Sequence, residues 1–331
     1  MTYPEFIQAW NDKTDFIICK TSGSTGNPKE ISLPKEQVSL SAKRTLGFFD
    51  INRSGAVFYS CISPDTIGGK MQAVRASLSG GRLLYEVPSN RPTLTSGSPE
   101  KIDLLSVVPS QMIWLLDHAD EMPQIDNILV GGAPIPDKLR QRIVLSPWRV
   151  WETYGMTETA SHVALRRVTL PQSGFKPLDG VSLDTSDDGR LIVNIENWRT
   201  FMTNDIARIN YLSAHDDPDG IKSGIRKDVE FEIIGRFDNV IITGGKKVHP
   251  EEVERILEPL MNHELMISSL PDDKWGNRVI LIVPPDQSLT DDKIMTICKE
   301  NLQRYEVPKE IFRRDVPLTA NGKKQRNFKM R

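Results

Sequence analysis

Nine consecutive residues, Thr21-Ser22-Gly23-Ser24-Thr25-Gly26-Asn27-Pro28-Lys29, bring four hydroxyls, two glycines and one ammonium into a loop the size of a phosphate group. Gly23 and Gly26 can take positive φ and let backbone N–H groups approach an anion. Thr21, Ser22, Ser24 and Thr25 add donors, and Lys29 adds charge. The expected ligand is a nucleoside triphosphate. The spacing from Gly23 to Lys29 is G-x-x-G-x-x-K with no hydroxyl after the lysine, so this is not the G-x-x-x-x-G-K-[ST] loop of the common NTPases. The same residue types also build ordinary surface loops, so other motifs must decide.

Trp151-Glu152-Thr153-Tyr154-Gly155-Met156-Thr157-Glu158-Thr159 suits the same ligand. Tyr154 can stack on a purine, Thr157 can donate to a phosphate, and Glu158 can hold Mg²⁺, which prefers oxygen ligands and retains waters. A plain strand-to-helix turn is the alternative. Upstream, Gly131-Gly132-Ala133 offers a surface without large side chains for a planar ring, or simply a tight turn before a helix opened by Pro136. Asp205, just before the strand-like run Ile206 to Ile209, can chelate a ribose diol as the acidic residue of dinucleotide folds does, or cap a turn. Arg236 offers a guanidinium for phosphate or ribose, or a solvated pair with Asp238. Lys323 sits on a tight Asn321-Gly322 turn in a basic tail.

These residues need elements to hold them. Phe16 to Cys19 reads as a short buried strand and the segment after Pro34 as a helix, which puts the phosphate loop at a strand's carboxyl end, where open α/β sheets bind ligands. From residue 16 to about 155, short apolar runs at Ala56–Ile62, Arg82–Val87, Leu104–Val108 and Ile128–Val130 alternate with amphipathic stretches at Lys70–Leu78 and Gln111–His118. Such alternation predicts a mainly parallel sheet covered by helices. From about residue 170 the pattern becomes strand-like with turns, at Leu191–Ile195, Ile206–Tyr211 and Phe231–Ile234. Past Asp238 come a Gly244-Gly245 turn, a helix opened by Pro250, strands at Leu265–Ser268 and Val279–Val283, and a helix from about Asp291. The expected fold is α/β: a large N-terminal domain over 1–237 with a β-rich subdomain over 170–237, then a small mobile α+β domain over 238–331. Ser89–Lys101 and Ala214–Ile221 read as surface loops.

At 331 residues and a net charge of −2 from 42 basic and 44 acidic side chains, the chain carries no overall field that would attract nucleic acid or an anionic membrane. Cys19, Cys61 and Cys298 lie far apart in or near apolar runs and read as buried reduced thiols. With no export signal and no apolar stretch near the roughly 20 residues a membrane helix needs, the expected setting is the cytoplasm.

Taken in order, the loop at 21–29, Tyr154-Gly155-Met156-Thr157-Glu158, Thr203-Asn204-Asp205, Gly235-Arg236 followed by Ile241-Ile242-Thr243-Gly244-Gly245, and Asn321-Gly322-Lys323 resemble the successive core motifs of the adenylate-forming superfamily, which includes the acyl-CoA synthetases. Tyr154 to His162 and Ile241 to Gly245 with Pro250-Glu251-Glu252-Val253-Glu254 look most like its o-succinylbenzoate-CoA ligases of menaquinone biosynthesis. The resemblance implies ATP, Mg²⁺ and coenzyme A as reactants, a small aromatic carboxylic acid as substrate, Lys323 and Thr157 as catalytic groups with Glu158 on the metal, Asp238 as a hinge, and Gly244-Gly245 against the pantetheine arm. For a second carboxylate on the acid, Arg75 is the candidate, with Ser161 and His162 lining the pocket; a surface arginine and a core histidine are the alternatives. Acids other than o-succinylbenzoate, a carrier protein in place of coenzyme A, and a non-catalytic nucleotide-binding relative remain open. Three departures stand out. Glu30 replaces the usual glycine after Pro-Lys, and Asn204 the usual glycine before the aspartate. Only 20 residues precede the phosphate loop, where relatives carry a further subdomain. The last departure predicts a rebuilt wall of the site and gives a motive for homo-oligomer formation.

Overall fold

A computed structural model describes residues 1–20, 29–97, 99–211, 229–318 and 324–326. The phosphate-loop residues Thr21, Ser22, Gly23, Ser24, Thr25 and Gly26, the Ala214–Ile221 stretch and Lys323 lie outside the described residues.

The first half runs α1 (Tyr3–Trp10), β1 (Phe16–Lys20), β2 (Glu30–Pro34), α2 (Lys35–Phe48), β3 (Val57–Ser60), α3 (Ile67–Ser79), β4 (Arg82–Tyr85), β5 (Lys101–Val107), α4 (Pro109–Asp117), β6 (Gln124–Val130), α5 (Asp137–Val144), β7 (Arg149–Met156), β8 (Ser161–Arg167) and β9 (Lys176–Pro177). Seven strands form one sheet in the order β4-β3-β5-β6-β7-β8-β9. β4 to β7 with β3 pair in parallel, and β8 and β9 add an antiparallel edge. Six of the seven residues of β5 are buried, as a strand covered on both faces requires. One apolar cluster joins Leu105 and Ile128 of the sheet to Met112 and Leu115 of α4 and Leu139 and Ile143 of α5. Another packs Tyr3, Phe6, Ile17, Cys19 and Leu33 with Val38 and Ala42 of α2 and Met71 and Val74 of α3. Helices from different stretches of chain thus pack in two separate layers, the doubly wound arrangement that βαβ units favour.

β1 departs from expectation. It pairs antiparallel with β2 in a separate two-stranded sheet, Cys19 opposite Ile31, and buries only Ile17 and Cys19 while Phe16 and Ile18 stay exposed. The phosphate loop therefore joins two antiparallel strands and does not lead from the parallel sheet into a helix. The anticipated helix follows β2 as α2.

Next come β10 (Val181–Thr185), β11 (Arg190–Ile195), β12 (Thr200–Tyr211) and β13 (Val229–Arg236), neighbours in that order in a four-stranded sheet. β14 (Ile241–Thr243) and β15 (Lys246–Val248) form a hairpin, followed by α6 (Pro250–Met261), β16 (Met266–Asp272), β17 (Gly276–Val283), α7 (Asp291–Asn301) and β18 (Glu310–Arg313). β16, β17 and β18 make a three-stranded sheet whose core gathers Val253, Leu257, Ile267, Leu281, Ile294 and Cys298. All three cysteines are free and buried.

The chain divides into two compact units. One comprises Met1–Leu183, Val193–Phe201 and Asn210–Phe231; the other comprises Asp184–Ile192, Met202–Ile209 and Glu232–Arg331. Among the described residues no helix is long and apolar enough to cross a membrane.

Candidate active site

In the first unit the site is built on β6, β7, β8 and α3. Tyr154, Gly155 and Met156 end β7, and Thr157 to Thr159 form a single 3-10 turn before the chain returns antiparallel as β8. The motif is thus a strand, one turn and a returning strand, not a strand-to-helix turn. Gly155 marks a register shift in that pairing, and a Cβ there would lie 2.3 Å from the Ser161 carbonyl oxygen and 2.4 Å from His162 Cα. Only glycine permits this approach.

The turn is held by hydroxyls. Met156 N–H donates to Thr159 Oγ1 at 3.1 Å, and Ser41 Oγ donates to the Ala160 carbonyl at 2.7 Å. These bonds support left-handed backbone at Ala160 (φ 53°) and Ser161 (φ 89°), a conformation that costs a non-glycine residue energy and clusters at functional sites. Glu158 lies half-buried in the turn and makes no ion pair among the described residues. Among the described residues, no group of three or more His, Cys, Asp or Glu converges there as a ready-made metal cage. A Mg²⁺ ion held by the Glu158 carboxylate would complete its shell from phosphate and water oxygens, the set this ion favours.

Gly131, Gly132 and Ala133 follow β6 directly, next to β7 in the sheet. A Cβ on Gly131 would lie 2.6 Å from Thr153 Oγ1, so the loop packs directly on the strand that carries Tyr154, and Gly132 uses φ +86° to turn. The Tyr154 ring meets Phe231 edge-on at 5.2 Å and Phe175 at 5.8 Å. Lys29 lies just before β2.

The acyl candidates come together in the same unit. Thr66 caps α3 by accepting from Gly69 N–H at 3.3 Å, and Gly80 closes the helix in left-handed backbone. One helical turn then stacks Gln72 under Arg75. Gln72 Nε2 donates to the carbonyls of Leu104 (2.7 Å) and Tyr59 (3.1 Å), so its Oε1 is presented to Arg75 Nη1 at 3.1 Å. Arg75 is only 1% exposed, and its Nε and Nη2 have no hydrogen-bond partner among the described residues. Burial, with no counter-charge among the described residues, pushes its guanidinium down to about 9. His162 Nε2 lies 2.9 Å from Thr45 Oγ1, and Thr45 Oγ1 lies 3.3 Å from the Ser41 carbonyl. Burial, and secondarily the Arg75 charge, hold His162 well below the ordinary imidazole range. Ser161 is buried beside it. Thr45 and Gln72 carry no motif; the only cue to Gln72 is its i,i+3 spacing from Arg75.

The second unit holds the remaining candidates. Asp205 lies within β12 rather than before it and accepts from Arg236 Nη1 at 3.1 Å, so it is not a turn cap, while the half-exposed Arg236 also makes the expected surface pair with Asp238. Asp238 lies 3.6 Å from Arg236 Nε, inside a single 3-10 turn over Phe237–Asn239. A Cβ on Gly235 would meet Glu251 Oε2 of α6 at 2.5 Å. Gly244 (φ 55°) and Gly245 (φ 74°) make the turn between β14 and β15; Gly244 packs on the Trp275 ring, and Gly245 faces open space. Beyond Lys323, Lys324 Nζ donates to Glu254 Oε2 at 3.0 Å, and Arg326 makes a two-pronged pair with Glu254 at 2.6 and 2.8 Å.

Known proteins share the fold that carries these residues. The family model described as AMP-binding enzyme matches residues 5–192, more than half of the chain. The chain is 27% identical to a protein of Listeria monocytogenes named 2-succinylbenzoate–CoA ligase, over 98% of this chain and 71% of that one. Among solved structures it resembles an acyl-CoA synthetase (AMP-forming)/AMP-acid ligase II-like protein of Dyadobacter fermentans, with TM-score 0.60, 25% identity, and 97% and 90% of the two chains covered. It also shares its fold with the o-succinylbenzoate CoA synthetase of Bacillus subtilis solved with an acyl-adenylate intermediate, with TM-score 0.74, 22% identity, and 94% and 68% covered. The motifs, the sheet that carries them and the family match converge: the chain belongs to the AMP-binding enzyme family, the adenylate-forming enzymes.

Proposed function

We propose that this chain is an acid–thiol ligase that activates o-succinylbenzoate with ATP and passes the acyl group to coenzyme A. In the first half-reaction a substrate carboxylate oxygen attacks the α-phosphorus and pyrophosphate leaves. In the second, the coenzyme A sulfur attacks the acyl carbon, its proton is lost, and AMP leaves. Charge builds on the α-phosphate oxygens in the first step, and Lys323 is the group assigned to stabilise it, with Thr157 donating to phosphate. Mg²⁺ supplies charge neutralisation on the leaving phosphates and would be held by Glu158. Tyr154, with Gly155 and Met156, and the Gly131–Ala133 loop are assigned to the adenine, Asp205 and Arg236 to the ribose and phosphate, and Thr21 to Gly26 with Lys29 to the departing pyrophosphate. Gly244 and Gly245 are assigned to the pantetheine arm.

The observation that carries the choice of acid is Arg75. A buried guanidinium with two nitrogens unpartnered is completed by an anion, and an acid with a second carboxylate brings one. The curated relatives named 2-succinylbenzoate–CoA ligase support the same choice.

The experiment is pyrophosphate release by the purified chain with ATP and Mg²⁺, with o-succinylbenzoate, benzoate or a fatty acid, each with and without coenzyme A. Release that requires o-succinylbenzoate and turns over only with coenzyme A is the expected result. Preference for benzoate or the fatty acid moves the specificity elsewhere, and silence with every acid despite ATP binding reduces the chain to a nucleotide binder.

A further inference from the structure

Three charged side chains without a role above meet on one side of β7: Arg140 of α5, Glu152 of β7 and Arg166 of β8. Glu152 Oε2 accepts from Arg166 (Nε at 2.8 Å, Nη2 at 2.7 Å) and from Arg140 Nη2 at 3.3 Å. Glu152 Oε1 accepts from Ile135 N–H at 3.1 Å, and Arg140 Nη2 donates to the Ile135 carbonyl at 3.2 Å. One buried ion pair therefore holds both backbone groups of Ile135, two residues beyond the Gly131–Ala133 loop. On its other side, the Arg166 guanidinium lies 4.1 Å over the Phe175 ring, which packs with Tyr154 and Phe231.

Buried ion pairs are poor sources of stability, since apolar replacements of similar volume are often neutral or stabilising. What this one supplies is geometry. Glu152 links the backbone that follows the Gly131–Ala133 loop, through Ile135 N–H, to the aromatic cluster around Tyr154, through Arg166. We infer that Glu152 is a positioning residue that fixes the spacing between the loop and the Tyr154 ring, and thereby sets selectivity for the nucleobase. The inference rests on the adenylation reading above. Adenine presents a 6-amino donor where guanine presents a carbonyl, so backbone groups held in place discriminate between them, and those allowed to shift do not. An unpaired buried polar group costs about 1–3 kcal/mol, which is roughly a 5- to 150-fold preference.

Equilibrium binding of ATP and of GTP to the full chain tests this, with Glu152→Gln and Arg140→Met beside the wild type and thermal unfolding of all three. Glu152→Gln keeps the shape but loses the charge that holds two arginines; Arg140→Met keeps the Glu152–Arg166 pair but frees the Ile135 carbonyl. The expected result is a wild-type preference for ATP that drops about tenfold or more in both variants, with both still folded but at lowered unfolding midpoints, since each loses a buried partner. If the wild type prefers ATP and both folded variants keep that preference, the positioning role is wrong while the adenylation reading stands. If the wild type binds neither nucleotide, the adenylation reading fails and the inference with it. Failure of both variants to fold would make the cluster a requirement of the fold and overturn the inference equally.

Discussion

A guanidinium placed in a protein interior with no carboxylate in reach is a state that a binding site can use. Arg75 is held by Gln72, which is itself held by two backbone carbonyls, so the cation cannot swing out to water without breaking that chain of bonds. Replacing it by methionine removes the charge and keeps most of the volume. Arg75→Met is expected to raise the KM for an acid with two carboxylates by about 100-fold, the scale of a buried charge pair losing one partner, and to leave an acid with one carboxylate unaffected. Steady-state kinetics on the two acids separates this from a general loss of folding. His162 makes a second, independent statement. Its folded pKa lies below the unfolded value, so protonation favours unfolding: its contribution is fully present above the ordinary imidazole pKa near 6.5 and is lost as pH falls below it. Thermal unfolding midpoints should therefore fall between pH 7 and pH 5, and less steeply in His162→Asn, which keeps a polar group against Thr45. Equal slopes in the two proteins would show that the imidazole does not titrate differently on folding.

At the scale of elements, the site depends on how closely neighbouring strands approach. Gly155 and Gly131 both lack room for a Cβ, but for different reasons. At Gly155 the obstructing atoms are backbone, the Ser161 carbonyl and His162 Cα; at Gly131 the obstruction is the hydroxyl of Thr153, which can rotate. Gly155→Ala must push β7 and β8 apart where the 3-10 turn begins, and is expected to weaken ATP binding at least tenfold with a loss of stability of about 2–3 kcal/mol, as overpacking costs. Gly131→Ala should cost less than half of that. Isothermal titration with ATP and denaturant unfolding of the two variants give the ranking, and a reversed order would mean that the β7–β8 approach is not what shapes the turn. This part of the site was legible as a motif but not as a shape. The Tyr154-to-Thr159 stretch reads equally well as the start of a helix, and only its antiparallel pairing with β8 decides for a single turn.

At the scale of the whole molecule, the two half-reactions ask for different groups near the same phosphorus and carbon, and the proposed means is a pivot at Asp238. The residue sits in a 3-10 turn of three residues between β13 and β14. A proline there fixes φ. Asp238→Pro is expected to slow one half-reaction about tenfold or more relative to the other, because a hinge that cannot change its dihedrals favours one arrangement. Single-turnover pyrophosphate release and acyl transfer from a supplied acyl-adenylate measure the two separately, and equal losses would count against a pivot at this residue.

The sequence by itself determined the family, the alternation of strands and helices to about residue 155, the strand-rich stretch after it and the α+β pattern past Asp238, because hydrophobic period and short motifs are local properties of the chain. It also named Arg75, His162, Asp205 and Arg236. Only the tertiary structure decided what those residues meet. Period alone cannot tell a buried strand from a half-buried one, so β1 was legible as a strand but its antiparallel partner β2 was not. Thr45 and His162 are 117 positions apart, and Asp205 and Arg236 are 31 apart, so their hydrogen bonds have no trace in local spacing. Burial of Arg75 without a counter-charge, and of Glu152 between two arginines, arises from several elements packing at once, and the charges that result belong to the fold and not to any one segment.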